Sequence, residues 1–182
     1  LKAVTENNEK FIVKYYYKKN YKFNAIKSET DNLLFLNNHK FNFFPRIINY
    51  NNKFVIMSFI NNNNNLPNKA NDDLLDAIIL LHSKKNINYG FNFDTQIGGL
   101  KQPNSNSKNW VEFYRDKRLH YVFDLINKNQ PMNKAINTKI DLLLKKIENF
   151  IPNKPKPSLL HGDLWEGNIL FKNKKFSGLI DP

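Results

Sequence analysis

Apolar positions in the first sixty residues follow two different periods. Two short runs are β-branched and aromatic and have polar flanks, which predicts strands. Between these runs, Ile26, Leu33 and Leu36 recur at the spacing of one helix face. The predicted elements are a strand at 11–17, a helix over 23–37, a loop leading into a strand over 41–50, and a strand at 54–60.

Beyond position 60 the pattern changes to a polar connector and then to helical spacing. Five consecutive asparagines at 61–65 lack apolar side chains and are predicted to form a solvated connector. Asn71 is predicted to cap the next helix, which has acidic residues in its first turn. The predicted elements are a helix from Asn71 to His82, a long structured loop at 86–107, a helix capped by Ser107 that carries Trp110 to Leu125, a helix over 133–150, and a hairpin over 169–180.

This order of elements predicts an α+β fold with two lobes. We expect a strand-rich N-lobe at 1–60, a polar connector at 61–70 and a mainly helical C-lobe at 71–182. The chain begins without methionine and stops directly after the apolar segment 178–181. We therefore expect both lobes to be truncated, one at each end of the chain.

Composition excludes several classes of function. The 182 residues include no cysteine, which excludes disulfides, thiolate catalysis and cysteine-ligated metals. The net charge is +12, but 25 of the 28 basic residues are lysines scattered along the whole chain, so we expect no nucleic-acid partner. With no run of 18 apolar residues and no signal-peptide pattern, we expect a cytoplasmic protein that does not bind membranes.

The segment from His161 to Asn168, with Asp181 beyond the hairpin, has the spacing of a phosphoryl-transfer loop. Asp163 would accept the proton of an attacking hydroxyl, while Asn168 and Asp181 would hold Mg²⁺ against the phosphates. The alternative is an ordinary turn between two buried strands. His161 is expected to support the loop rather than to act as an acid or base.

A second pair of residues lies on apolar faces where charge is unfavourable. Glu29 falls on the apolar stripe of its helix, and Lys14 lies in the middle of a strand. Each would be costly to bury alone, so we expect them to pair, as in kinase-like folds where such a lysine contacts the α- and β-phosphates. The alternative is that the Lys14 ammonium reaches water and Glu29 lies at the edge of the stripe.

These motifs resemble the fructosamine kinases, also called ketosamine-3-kinases. The strings Leu160–Leu170 and Leu179–Pro182 carry the resemblance, and the His-Gly-Asp and Asn are shared with aminoglycoside phosphotransferases and choline kinases. Lys14, Glu29 and the residues around them match the first lobe of the family. Further matches are Tyr89, Gly90, Phe91, Ile97, Gly98, Gln102, Asn104, Trp110, Phe113, Arg118 and Leu119.

The resemblance implies a protein-kinase-like fold and an ATP- and Mg²⁺-dependent enzyme. Such an enzyme phosphorylates the sugar 3-hydroxyl of a ketosamine, either a small molecule or a glycated protein lysine, as a deglycation repair, and we expect a monomer. Trp165, Gln102, Asn104 and Arg118 have no assigned role, although Arg118 could anchor a buried ion pair. The implied site residues are Asp163 as base, Asn168 and Asp181 for the metal, Lys14 and Glu29 for the phosphates, and Met57, Ser58, Phe59 and Ile60 for the adenine.

Two departures from the family leave alternatives open. No glycine precedes Gly90, so the glycine-rich loop that covers the phosphates is absent or lies upstream of Leu1, and nothing follows Pro182, where the family has further helices. The chain by itself could therefore be inactive. The alternatives are a related kinase for an aminoglycoside or choline, or a kinase-like module that binds ligands without turnover.

Overall fold

The computed structural model describes residues 1–16, 23–69 and 71–182. Two compact units divide the chain: unit 1 is Leu1–Lys84, Thr95–Lys101 and Leu159–Pro182, and unit 2 is Lys85–Asp94 and Gln102–Ser158. Tyr17, the last residue of the first predicted strand, and position 70, the end of the predicted connector, lie outside the described residues. The lobe boundaries proposed above rest on the sequence and stay predictions.

Strands and helices are both present, which confirms the α+β class. The strands are β1 Lys2–Val4, β2 Lys10–Tyr15, β3 Ile47–Tyr50, β4 Phe54–Ser58, β5 Thr95–Ile97, β6 Leu100–Gln102, β7 Ile169–Lys172 and β8 Lys175–Leu179. The helices are α1 Ala25–Asn38, α2 Asp72–Ser83, α3 Trp110–Tyr114, α4 Tyr121–Asn129 and α5 Lys134–Lys145, with a π-helical segment at Arg115–His120 and 3₁₀ turns at Ile147–Asn149 and Glu166–Asn168.

Unit 1 contains an antiparallel sheet in the order β1-β2-β4-β3. β4 lies in its interior, where Val55 and Met57 are buried on one face as the strand alternation requires. β2 pairs with β4 so that Lys14 lies opposite Val55. The strand β1 was not predicted, because three residues are too few for a periodic signal.

The helix α1 packs its apolar face into the core of unit 1. Its cap is Asn24, whose side-chain oxygen accepts a hydrogen bond from Lys27 N at 3.1 Å. Leu33 is fully buried, and burial of such a leucine stabilises the fold by about 2 kcal/mol. The residues of this core are Ile26, Leu33, Leu36, Phe41, Phe44, Val55, Met57, Leu81 and Leu179.

The asparagine tract is irregular, as predicted, but it does not only face solvent. Asn63 N donates to Phe171 O at 3.1 Å, and the Asn63 side chain exchanges two hydrogen bonds with Asn173 in the β7–β8 turn, of 2.7 and 3.0 Å. Lys174 N also donates to Asn65 O at 3.0 Å. The tract is therefore mostly exposed, as a solvated connector would be, while the Asn63 side chain and the tract's backbone also satisfy polar groups of the hairpin.

Asparagine side chains cap α1, α2, α3 and α5, whereas the start of α4 has no side-chain cap. Asn71 caps α2 as predicted, accepting from Leu74 N at 3.0 Å. The cap of α3 is Asn109 instead of Ser107, because the Asn109 side chain accepts from Val111 N at 2.9 Å while the Ser107 hydroxyl accepts from Asn109 N. The helix predicted over 133–150 ends at Lys145 and is followed by a 3₁₀ turn. Within the described residues, no helix is both long and apolar enough to cross a bilayer.

Candidate active site

Lys14 and Glu29 form the ion pair that the sequence predicts. Lys14 Nζ donates to Glu29 Oε1 at 2.7 Å, from near the end of β2 to the second turn of α1. The two side chains are 31% and 12% exposed, so water screens the pair only partly. The ion pair thus joins β2 to α1 through two partly buried charges.

The same ammonium also binds the carboxylate of Asp181, the residue that follows the last strand by two positions. Lys14 therefore lies between two acidic side chains that are 152 positions apart in the sequence, Glu29 and Asp181. Three predicted site residues from distant parts of the chain meet at this point. The alternative that the Lys14 ammonium reaches water alone is excluded.

Burial and charge act in opposite directions on this cluster. Burial alone would lower the pKa of Lys14, but attraction to Glu29 and the hydrogen bonds to Asp181 and Glu29 outweigh it and raise this pKa. Burial raises the pKa of Glu29 despite the nearby ammonium, and repulsion from Asp181 adds to the effect. Glu29 and Asp181 thus share one ammonium group, and the excess of negative charge favours binding of a further cation at Asp181.

The β7–β8 hairpin places Asn168 beside the segment that carries Asp181. Ile169 pairs with Leu179, and just beyond this pair Ile180 N donates to the backbone oxygen of Asn168 at 3.0 Å. Asn168 directly precedes one strand, and Asp181 follows the other. Antiparallel pairing therefore brings two residues 13 positions apart to one end of the hairpin.

Asn168 also fixes the loop that holds Asp163. The Asn168 amide donates to the Asp163 backbone oxygen at 2.8 Å and to its carboxylate Oδ2 at 3.1 Å. The asparagine is 5% exposed, whereas Asp163 is exposed and accessible to a substrate hydroxyl. Asp163 is therefore held as an acceptor at the surface by a rigid neighbour.

His161 is buried beneath this loop and contacts its backbone, which agrees with the supporting role expected from the sequence. It is 5% exposed, stacks against Phe44 with ring centroids 5.8 Å apart, and its Nδ1 accepts from Asp163 N at 3.3 Å. Burial lowers the pKa of His161, and the Ile180 backbone and the carboxylates of Asp163 and Asp181 oppose this shift. Both carboxylates thus act on one buried imidazole.

The donor set fits a magnesium ion that is shared with a phosphate ligand. Among the described residues no cluster of three or more His, Cys, Asp or Glu side chains could hold a metal alone. The Asn168 amide hydrogens are directed to Asp163, so its side-chain oxygen remains for a cation, next to the segment of Asp181. At nucleotide sites Mg²⁺ typically has one or two protein oxygens as ligands, and phosphate oxygens and water molecules complete its coordination.

The four residues predicted to contact adenine are continuous with β4. Met57 is 3% exposed and belongs to the core, so its side chain cannot contact a ligand. The Ser58 hydroxyl accepts from Arg46 N at 2.9 Å, and Lys2 lies 4.8 Å above the Phe59 ring. Ile60 packs against β8, where a Cβ on Gly178 would lie 2.7 Å from its Cδ1.

The residues without an assigned role lie mostly in unit 2. Arg118, in the π-helical segment, donates to Asn104 Oδ1 at 2.6 Å and to Pro103 O at 2.7 Å, and lies 4.7 Å from the Phe113 ring centroid. No carboxylate pairs with it in the described part of the chain, so it is not the ion-pair anchor suggested above. Burial accordingly lowers the pKa of Arg118. Asn104 in turn donates to Phe93 O at 3.1 Å, so these hydrogen bonds stabilise the loop at 86–107.

One contact in unit 1 was missed by the sequence analysis. Asn32 Nδ2 donates to the Pro182 backbone oxygen at 2.8 Å, directly after Asp181. Asn32 lies three positions after Glu29 on α1, hence on the same side of the helix. The spacing from Glu29 was the one sequence feature that could have indicated this contact. It was not sufficient, because a neutral asparagine on a helix can remain in water without a protein partner.

A family model for fructosamine kinase matches residues 2–182. The chain belongs to the fructosamine kinase family. A protein-ribulosamine 3-kinase of Arabidopsis thaliana is 34% identical over 132 residues, which cover 71% of this chain and 40% of the relative. A ketosamine-3-kinase of Mus musculus is 40% identical over 81 residues, 44% of this chain and 26% of that protein. The chain spans about two fifths of the length of the curated relatives that match it over most of its length.

Solved structures show the same fold. A crystal structure from Thermobifida fusca, named as a fructosamine-3-kinase, superposes with a TM-score of 0.82 at 19% identity, covering 100% of this chain and 62% of that one. The ADP-bound aminoglycoside phosphotransferase APH(2'')-Ib gives a TM-score of 0.55 at 19% identity over 99% of this chain and 64% of its own. The kinase-like fold predicted for this fructosamine kinase family member is therefore confirmed.

Proposed function

We propose that the chain carries the phosphoryl-transfer site of an ATP-dependent ketosamine kinase. The observation that supports this most strongly is the convergence of Lys14, Glu29 and Asp181 at one point, beside the hairpin end that holds Asn168. An ordinary turn between strands would not need a lysine and a helix carboxylate from elsewhere in the chain. Family membership and the fold agree with this assignment.

Each side chain has a role that its contacts allow. Lys14, oriented by Glu29, binds the α- and β-phosphates of ATP, and Asn168 with Asp181 would hold Mg²⁺, which neutralises phosphate charge when bound. Asp163 accepts the proton of the sugar 3-hydroxyl as its oxygen attacks the γ-phosphorus. The new bond joins O3 to phosphorus, the bond from phosphorus to the bridging β-γ oxygen breaks, and ADP leaves.

The substrate class follows from the relatives. The Arabidopsis relative is named a protein-ribulosamine 3-kinase and the mouse relative a ketosamine-3-kinase. We therefore assign ketosamines, free or on protein lysines, as substrates, with repair of glycated amines as the outcome. The exposed position of Asp163 would admit an acceptor as large as a protein side chain. The adenine would lie against the backbone of the segment Met57–Ile60.

A substrate panel tests the proposal. ADP release is measured with ATP, Mg²⁺ and, separately, ribuloselysine, fructoselysine, choline and kanamycin, and the product is identified by ³¹P NMR. The proposal predicts turnover with a ketosamine and a phosphate ester on its O3. Turnover with choline or kanamycin alone would assign the chain to another kinase class, and ATP binding without any turnover would favour the binding module.

A further inference from the structure

Asp181 has an unusual backbone conformation. Its φ is +56°, in the left-handed region, which is uncommon outside glycine although asparagine and aspartate adopt it more often than other residues. Such a conformation costs free energy and persists only where surrounding contacts enforce it. The direction of the Asp181 carboxylate depends on this conformation, since φ and ψ set where its Cβ points.

Two contacts that involve α1 restrain this conformation. The Asp181 side chain is held by Lys14, which Glu29 orients, and the next residue is held by the bond from Asn32 Nδ2 to Pro182 O at 2.8 Å. Glu29 and Asn32 are three residues apart on α1, so one helix acts on both sides of the Asp181 α-carbon. The Asn32 bond is partly buried and spans 150 positions in the sequence.

We propose that Asn32 is a positioning residue for the metal-binding carboxylate of Asp181. By fixing the backbone oxygen of Pro182, it stabilises the left-handed conformation of Asp181 and so the direction of its carboxylate. This inference rests on the function proposed above, in which Asp181 is a metal ligand. The helix α1 would then position Asp181 through Asn32 as well as orient Lys14 through Glu29.

The chemistry of the side chain explains why an amide suits this position. The contact needs a donor, since Pro182 offers only an oxygen. An aspartate at position 32 would have the same shape but, when ionised, could not donate, and it would add a third carboxylate to the neighbourhood of Glu29 and Asp181. A lysine would donate but would compete for Asp181.

The test measures metal binding without catalysis. Mn²⁺, as a probe for Mg²⁺, is titrated into the protein with saturating AMP-PNP and followed by EPR, for the wild type, Asn32→Ala, Asn32→Leu and the control Asn38→Ala. Asn38 is an exposed asparagine at the end of the same helix. Affinity for AMP-PNP in EDTA is measured for each, because a positioning residue should not change it.

The inference predicts that both Asn32 variants weaken Mn²⁺ affinity about fivefold, as expected for one ordinary hydrogen bond, with metal-free nucleotide affinity unchanged. Asn38→Ala should match the wild type. Leucine has the length and branching of asparagine but cannot donate a hydrogen bond, so Asn32→Leu remains informative if Asn32→Ala is unstable. Wild-type Mn²⁺ affinity in both variants would overturn the inference alone, whereas a wild type that binds no Mn²⁺ with AMP-PNP would overturn the proposed function as well.

Discussion

The Trp165 ring lies directly over the α-carbon of Gly167. A Cβ built on Gly167 would be 2.4 Å from ring atoms Cη2 and Cζ2, closer than atoms of this kind approach one another. The ring itself is largely exposed, with 57% of the residue accessible. A side chain at position 167 therefore fits only if the tryptophan ring moves.

Gly167→Ala should destabilise the protein by about 1 kcal/mol, because the methyl group must displace the tryptophan ring, whose exposed end can move toward solvent. Urea unfolding of Gly167→Ala, Trp165→Leu and the double variant measures this effect. With the ring removed, the added methyl group should cost much less. An equal cost in both backgrounds would mean that the ring contact is not the cause.

The ion pair of Lys14 and Glu29 should couple the two residues energetically. A double-mutant cycle with Lys14→Met and Glu29→Gln should give a coupling free energy of about 1–3 kcal/mol, between the values for exposed and fully buried pairs. Unfolding by urea provides the four free energies. The pair Lys27 and Asp31, also on α1 but more exposed, is the matched control and should couple by less than about 0.5 kcal/mol. Equal coupling free energies for the two pairs would show that the partial burial of Lys14 and Glu29 does not strengthen their interaction.

The asparagine tract should contain one residue that matters for stability. Asn63→Ala removes two side-chain bonds to Asn173 and should lower the unfolding free energy by about 1–2 kcal/mol. Asn65→Ala is the control, because Asn65 contributes its backbone oxygen to Lys174 N, and it should change stability by less than about 0.5 kcal/mol. Similar losses in the two variants, measured by urea unfolding, would contradict the specific role of Asn63.

Stability should depend on pH through His161. Its pKa is lowered from 6.5 in the folded state, so the unfolded chain binds the proton more readily. Stability from this residue is therefore complete above pH 6.5 and is lost as the pH falls from 6.5 toward the folded-state pKa. Urea unfolding at pH 7.5 and 5.5 should show a smaller decrease for His161→Gln than for the wild type. An identical decrease would mean that other groups cause the acid sensitivity.

The sequence allowed the prediction of those features in which a side chain conflicts with its surroundings. Lys14 and Glu29 were paired correctly because each would be costly alone on an apolar face. The hairpin at 169–180 followed from two apolar runs around a polar turn. By contrast, the π-helical segment at Arg115–His120 leaves no distinct pattern, since its residues also suit an α-helix.

Hydrogen bonds made by neutral amide side chains were also not predicted from the sequence. Among 32 asparagines, Asn32 and Asn63 look like the rest, because an amide tolerates water, a cap or a distant partner equally well. The cap at Asn109 was missed for the same reason, since Ser107 is an equally good candidate. Only the three-dimensional arrangement distinguishes these residues.

The central claim is that Asp163 accepts the proton in phosphoryl transfer from ATP to a ketosamine. It is tested most directly by comparing Asp163→Asn with the control Glu166→Gln, an exposed carboxylate of the same loop, in kcat with ribuloselysine and in ATP affinity by calorimetry. Asp163→Asn should lower kcat by about 10²–10⁴-fold with ATP affinity nearly unchanged, while Glu166→Gln keeps both. Normal turnover in Asp163→Asn would contradict the account.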